Sequence, residues 1–171
     1  MNGAYQHLVI NHVPVVGYPI IFLILAAGVI HKSRDLVRAG LAGLVLLAIV
    51  STLALRTGGP AAGVLFHYPN VTVVRQAVHE HAEAGEKATY TAWGIGVLAF
   101  IAFGLSIKNG SAPGALVILI LLGALVVSVA YGRVGHLGGL IRHPEIESTP
   151  AAPPAGAQAP APALPAGRQA Q

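Results

Sequence analysis

Four apolar runs of about twenty residues, at 8–30, 37–55, 88–107 and 112–131, dominate this chain. Each matches the roughly 20 residues that a helix needs to cross a hydrocarbon core of about 30 Å. Inside hydrocarbon a peptide group finds no water, so a crossing segment must satisfy its own backbone as a helix or as part of a closed barrel. Barrel strands would be segments of about ten residues with alternating polarity, and these runs do not alternate. Composition agrees, with 54% of residues hydrophobic and 9% charged. The expected fold class is therefore all-α: a polytopic membrane protein, a four-transmembrane-helix bundle occupying residues 1–147. Residues 149–171 contain six Pro and nine Ala, which cannot build a core and read as a disordered Pro/Ala-rich tail.

Several function classes drop out at this level. There is no cysteine, which removes disulfides, thiolate metal sites and covalent c-type haem attachment. No Gly-x-Ser-x-Gly element supports acyl transfer. Ten Lys and Arg against six acids make the chain basic, but the positives are scattered beside the apolar runs. Such charges set membrane orientation rather than forming a nucleic-acid surface, so the lipid bilayer is the expected partner and nucleic acid is not. The first connection carries Lys32, Arg34 and Arg38 with one acid, Asp35, and the third carries Lys108. Residues 1–8 carry no Lys or Arg, so the first run reads as a span and not as a cleaved signal. The positive-inside rule puts the first and third connections in the cytoplasm, and both termini and the second connection on the outer side of the membrane. Arg133 and Arg142, just after the last run, count against that orientation.

With four spans, seven of the eight histidines fall at one end of the bundle whichever way it is inserted: His7, His12, His67, His79, His81, His136 and His143. His31 alone lies at the other end and reads as a solvated interfacial residue. Ionisable groups at the end of a membrane bundle suggest a role beyond packing. One reading is a b-type haem serving electron transfer, with imidazoles on different helices above and below the iron. In it His12 is the first ligand, His81, His79 or His136 the second, and Arg133 and Arg142 neutralise the propionates. A second reading is a Cu or Zn site drawn from His7, His12, His79, His81, His136 and His143, although the spacing of His79 and His81 is no known metal signature. A third pairs histidines with Glu80, Glu83 and Glu86 as proton carriers for transport or for chemistry with a quinone or membrane redox complex. A fourth leaves them as interfacial residues of a structural or accessory subunit.

Local features set further expectations. Pro14 suits the first turn of a helix, where its missing N–H costs nothing, while Pro19 should kink the first span. The second span should stop at 56–60, Arg-Thr-Gly-Gly-Pro. From 71 to 87, Val74, Val78 and Ala82 recur at fourfold spacing, so a polar helix is expected to run into the third span. The fourth span has no strong break between Tyr131 and Gly138 and is free to continue.

The stretch 7–17, His-Leu-Val-Ile-Asn-His-Val-Pro-Val-Val-Gly, and the stretch 135–143, Gly-His-Leu-Gly-Gly-Leu-Ile-Arg-His, resemble small bacterial four-helix membrane proteins of the domain-of-unknown-function 2231 type. The first helix of that group opens with a His-x-Pro element, here His12-Val13-Pro14, with Val where Phe is expected. The resemblance spans about residues 6–147. It implies an inner-membrane four-helix protein with its histidines at one end, and no established activity.

Overall fold

The computed structural model describes residues 3–67, 75–141 and 143. Four helices follow one another: α1 Gly3–Ile30, α2 Arg34–Phe66, α3 Arg75–Asn109 and α4 Gly114–Leu140. All four are long and apolar enough to cross a membrane. Each packs against its sequence neighbours, and α1 also packs against α4, which closes the ring and leaves α1–α3 and α2–α4 as diagonals. The helices alternate in direction: Gly17 lies against Leu47 and Gly40 against Leu25, while Gly96 lies against Ala48. One end of the bundle therefore gathers the start of α1, the end of α2, the start of α3 and the end of α4. The opposite end carries the two short connections, 31–33 and 110–113.

Lipid decides which residues face outward. Leu23, Leu46, Phe100 and Val129 are 63%, 61%, 66% and 68% exposed, an arrangement that water would penalise and acyl chains solvate. Because lipid is as apolar as Leu, burying large side chains gives little drive to associate, and close backbone approach matters more. The interior accordingly uses Ala48, Ala54, Ala88, Ala92, Ala99, Ala102 and Ala124. Trp93 and Tyr90 meet edge to face with ring centroids 5.2 Å apart, and the Trp93 indole N–H donates to Thr52 Oγ1 at 2.8 Å. This is the aromatic belt expected near an interface.

Two helix boundaries differ from those expected. α1 begins at Gly3, so Pro14 is internal and not in a first turn. The two prolines of α1 leave the Ile10 and Val15 carbonyls without their i+4 partners. α2 does not stop at 56–60 but runs through Pro60 to Phe66. Pro60 lies beyond the apolar run of that span and leaves the Arg56 carbonyl without its i+4 amide, while continuing the helix buries Ala61. α4 continues past Tyr131 to Leu140, as the unbroken sequence there allows. The polar helix ahead of the third span is present from Arg75; 71–74 and the tail at 149–171 lie outside the described residues.

Close packing at Gly96 gives a direct test. A Cβ there would sit 2.7 Å from the Ala48 Cβ, whereas one at Gly94 would meet nothing within 4 Å. Gly96→Leu should destabilise the bundle by about 1–3 kcal/mol through overpacking. Gly94→Leu should change stability by less than about 0.5 kcal/mol. Thermal unfolding in mild detergent, followed by size-exclusion chromatography, separates the two.

Candidate functional site: the histidine end

The apolar runs give way at this end to Arg56 on α2, Lys87 on α3 and Arg133 on α4, while His7 precedes the run of α1. His7 and His81 therefore lie outside the apolar runs expected to cross the bilayer. They meet across the α1–α3 diagonal with ring centroids 6.3 Å apart and planes at 83°. Both are half-buried. His7 Nδ1 lies 3.1 Å from the Ala54 carbonyl and 3.1 Å from Thr57 Oγ1. His81 Nδ1 lies 3.0 Å from the Val134 carbonyl. A carbonyl only accepts, so each neutral ring donates its Nδ1–H and keeps its lone pair on Nε2. Gly138 makes room for this ring, since a Cβ there would lie 3.2 Å from His81 Cε1.

Electrostatics disfavour charge on both rings. Burial pushes the His7 imidazole below its ordinary value of 6.5, the neighbouring His81 pushes it further, and the Ala54 carbonyl partly opposes both. Burial likewise lowers His81, against the hydrogen bond to Val134. The carboxylates on α3 are spent locally on exposed positions. Glu80 accepts from Gln76 at 2.8 Å, Glu83 from Lys87 at 2.6 Å and Glu86 from the Tyr90 hydroxyl at 2.8 Å. The Lys87 hydrogen bond does most to hold the Glu83 carboxyl below its ordinary value, and the nearby His79 lowers it further. Among the described residues the hydrogen bonds of His7 and His81 go to Ala54, Thr57 and Val134, not to a glutamate.

Below the pair the interior is first apolar, with Pro14, Ala88 and Val134 buried. Next comes a second polar group deep in the bundle. Tyr18 and Tyr131 stack with centroids 5.0 Å apart and planes 13° from parallel. Thr89 donates to the Gly85 carbonyl at 2.8 Å, so the Tyr131 hydroxyl donates to Thr89 Oγ1 at 3.0 Å. Ser51 donates to the Leu47 carbonyl at 2.8 Å, and the Tyr18 hydroxyl lies 3.4 Å from Ser51 Oγ. Each hydroxyl proton has a destination, which suits a stacked plug better than a reactive group. Further in, Leu25, Leu41, Leu44, Ala99 and Ile120 fill the interior at 0–1% exposure.

The haem b and Cu or Zn readings are corrected by this geometry, and the electron-transfer role falls with them. Among the described residues no three His, Cys, Asp or Glu side chains stand together as metal donors. His12, the expected first ligand, is exposed, and its Nδ1 turns back to the Leu8 carbonyl of its own helix at 2.6 Å. His79, His136 and His143 are exposed too, on α3 and at the end of α4, and Arg133 is exposed with them. His67 folds back onto the Gly63 carbonyl at 2.8 Å. Arg142 lies outside the described residues. Of the haem candidates His81 alone turns inward, and it meets His7, which that reading did not use. Sequence reasoning also missed Tyr18, Ser51, Thr89 and Tyr131. A signal existed on α1: His7, Pro14 and Tyr18 are spaced seven and four apart, which repeats one helix face.

The tyrosine plug carries a measurable energy. Tyr131→Phe should cost about 0.5–1.5 kcal/mol, as expected for a buried hydrogen bond in a membrane bundle. Tyr18→Phe should cost less, because its hydroxyl contact is longer. Combining Tyr131→Phe with Thr89→Ala should be less than additive in denaturant unfolding. No family model, curated protein or solved structure matches the chain, so its function is argued from this geometry.

Proposed function

We propose that this protein is a pH-responsive module of the bacterial inner membrane. In this reading the neutral His7–His81 pair latches the periplasmic end of the bundle, and protonation releases it. The contact between the two rings across the diagonal carries the proposal. The orientation is supported by Lys32, Arg34, Arg38 and Lys108 at the opposite end. The bacterial setting is supported by the resemblance to small four-helix membrane proteins.

Imidazole is the side chain whose ordinary charge change falls between pH 5 and 8. When both rings gain a proton, two like charges about 6 Å apart repel by on the order of 2–3 kcal/mol at an effective dielectric of about 20. Charged and titratable groups at the same end of the bundle include His12 on α1, Arg56 on α2, His79, Glu80, Glu83, Glu86 and Lys87 on α3, and Arg133 and His136 on α4, all exposed. The three α3 carboxylates are engaged on the outer side of their own helix and offer the charged pair no counter-ion. Folding depresses both imidazoles, so an open or unfolded end binds more protons than the closed one below pH 6.5. The latch is at full strength above that pH and weakens as pH falls toward the depressed values. The apolar interior beneath the tyrosines makes the pair a terminal proton acceptor, not a station on a path through the membrane.

The chain has no cysteine, so introduced ones label uniquely. Spin labels at Gln6→Cys and Ala82→Cys, in lipid nanodiscs, should separate and broaden in distance as pH falls from 8 to 5. Labels at Ile30→Cys and Ile107→Cys, at the other end, should stay fixed. In a His7→Phe, His81→Phe background the first distance should lose its pH dependence. A native distance that does not change between pH 8 and 5 would sink the reading.

A further inference from the structure

The end of the bundle away from the histidines holds a cavity of about 280 Å³ between the starts of α2 and α4 and the last turn of α3. Its cations are Lys32, Arg34 and Arg38, and its apolar wall includes Val37, Val117 and Ile118. We propose that this cavity binds the phosphate headgroup of an acidic phospholipid, whose acyl chains leave along the lipid-facing surface of α4.

Charge is the first argument. Three cations line the cavity and no acid does. Asp35, the nearest acid in sequence, has a 96% exposed side chain and stands 4.0 Å from Arg38, too far and too solvated to neutralise it. Arg38 is the anchor. One of its terminal nitrogens donates to the Ser106 carbonyl at 2.8 Å and to the Gly110 carbonyl at 3.2 Å, which ties α2 to the end of α3. Gly110 presents that carbonyl from a left-handed backbone at φ +78°, which a residue with a side chain rarely adopts. Arg38 Nε, in contrast, is buried with no acceptor. A buried N–H without a partner is costly, and the Arg38 side chain, which lines the cavity and is 31% exposed, leaves guanidinium surface that an anion there can pair with.

Backbone dipoles point the same way. α2 and α4 both begin at residues that line the cavity, so two positive helix ends lie beside it. The Ser33 side chain occupies the Leu36 N–H at the start of α2. Pro113, at the start of α4, offers no side-chain cap, so the first amides of that helix remain open to a ligand. The lining is otherwise apolar, and Ile118 is 44% exposed on the lipid side. Ligand cavities typically run about 300–1,000 Å³, so this one takes a headgroup and leaves the chains outside. A lipid meets both demands, a phosphate for the cations and an acyl chain for the apolar rim. Acidic lipids also supply the negative surface toward which juxtamembrane Lys and Arg are drawn.

The test uses the full chain in neutral-detergent micelles, with native mass spectrometry counting retained lipid. Phosphatidylglycerol and phosphatidylcholine of matched chains compete, with inorganic phosphate and glycerol phosphate as separate arms. One phosphatidylglycerol per chain should be retained, with about tenfold preference over phosphatidylcholine, as a few nearby cations provide. Lys32→Gln with Arg34→Gln, both at exposed positions, should erase most of that preference while the protein stays monodisperse. Arg38→Met risks the fold because Arg38 also holds the end of α3. Gly114→Leu serves as the second variant: Gly114 lines the cavity and a Cβ there meets nothing within 4 Å. It should lower phosphatidylglycerol retention without unfolding. No preference between the two lipids, or a preference unchanged in the double variant, would overturn the site. Displacement of the lipid by millimolar inorganic phosphate would assign the cavity to free phosphate and overturn the lipid reading.

Discussion

Hydrocarbon offers no partner to a peptide N–H or C=O, and the rest of this structure follows from that constraint. It forces four uninterrupted helices across the apolar runs. It also removes the usual reward for burying large side chains, so the bundle is drawn together through glycine and alanine. Along the α1–α2 seam, Gly28 approaches the Val37 backbone and Gly40 approaches the Leu25 Cβ more closely than a side chain on those glycines would tolerate, and Gly43 packs against the end of the Ile21 side chain. The same scarcity of partners explains the buried hydroxyls. Ser51, Thr89 and Ser106 each return their proton to a carbonyl in their own helix. The two tyrosines can then be buried only by leaning on those side-chain oxygens or on each other.

The spans were legible in the sequence because their length and polarity are set by the bilayer alone. Helix ends were less so. Outside the hydrocarbon a Gly-Gly-Pro stretch competes with whatever burial a further turn provides, and at 58–60 burial of Ala61 won. The histidine end was legible as a location but not as a site. His12 was favoured for its depth in an apolar run, when the deciding quantity was its angle around the helix. Five residues separate His7 from His12, which at 100° per residue turns them about 140° apart. Once Tyr18 and Leu25 define the inner face, His7 shares it and His12 does not. The same displacement of five residues separates exposed His136 from buried Tyr131 on α4. Depth tells where a polar residue is expensive, and azimuth tells whom it meets.

The two ends of the bundle are chemically opposite, and among the described residues no chain of polar side chains joins them. One end carries a pair of neutral imidazoles whose lone pairs can take protons. The other carries guanidinium and ammonium groups around a cavity that fits an anion. Between them the interior is closed by the stacked tyrosines and by Leu25, Leu41, Leu44 and Ile120. Any influence of one end on the other must therefore pass through movement of whole helices, not through a chain of water or side-chain protons.

Packing along α1 and α2 says where such movement has room. Toward the cavity end their backbones are in near contact at Gly28 and Gly40, and Arg38 adds a strap to the last turn of α3. Toward the histidine end the same two helices diverge in kind. Gly58 meets only the His7 ring, 3.5 Å from where its Cβ would be, and Gly59 and Gly63 meet nothing within 4 Å. Helices held closely at one end and by two imidazoles at the other form a lever with its fulcrum at the tight seam. Bound lipid at the cavity would reinforce that fulcrum, and charge on the imidazoles would act at the longest distance from it. Small repulsive energies at the histidine end are for that reason well placed to produce displacement there, while the bilayer-spanning interior keeps its packing.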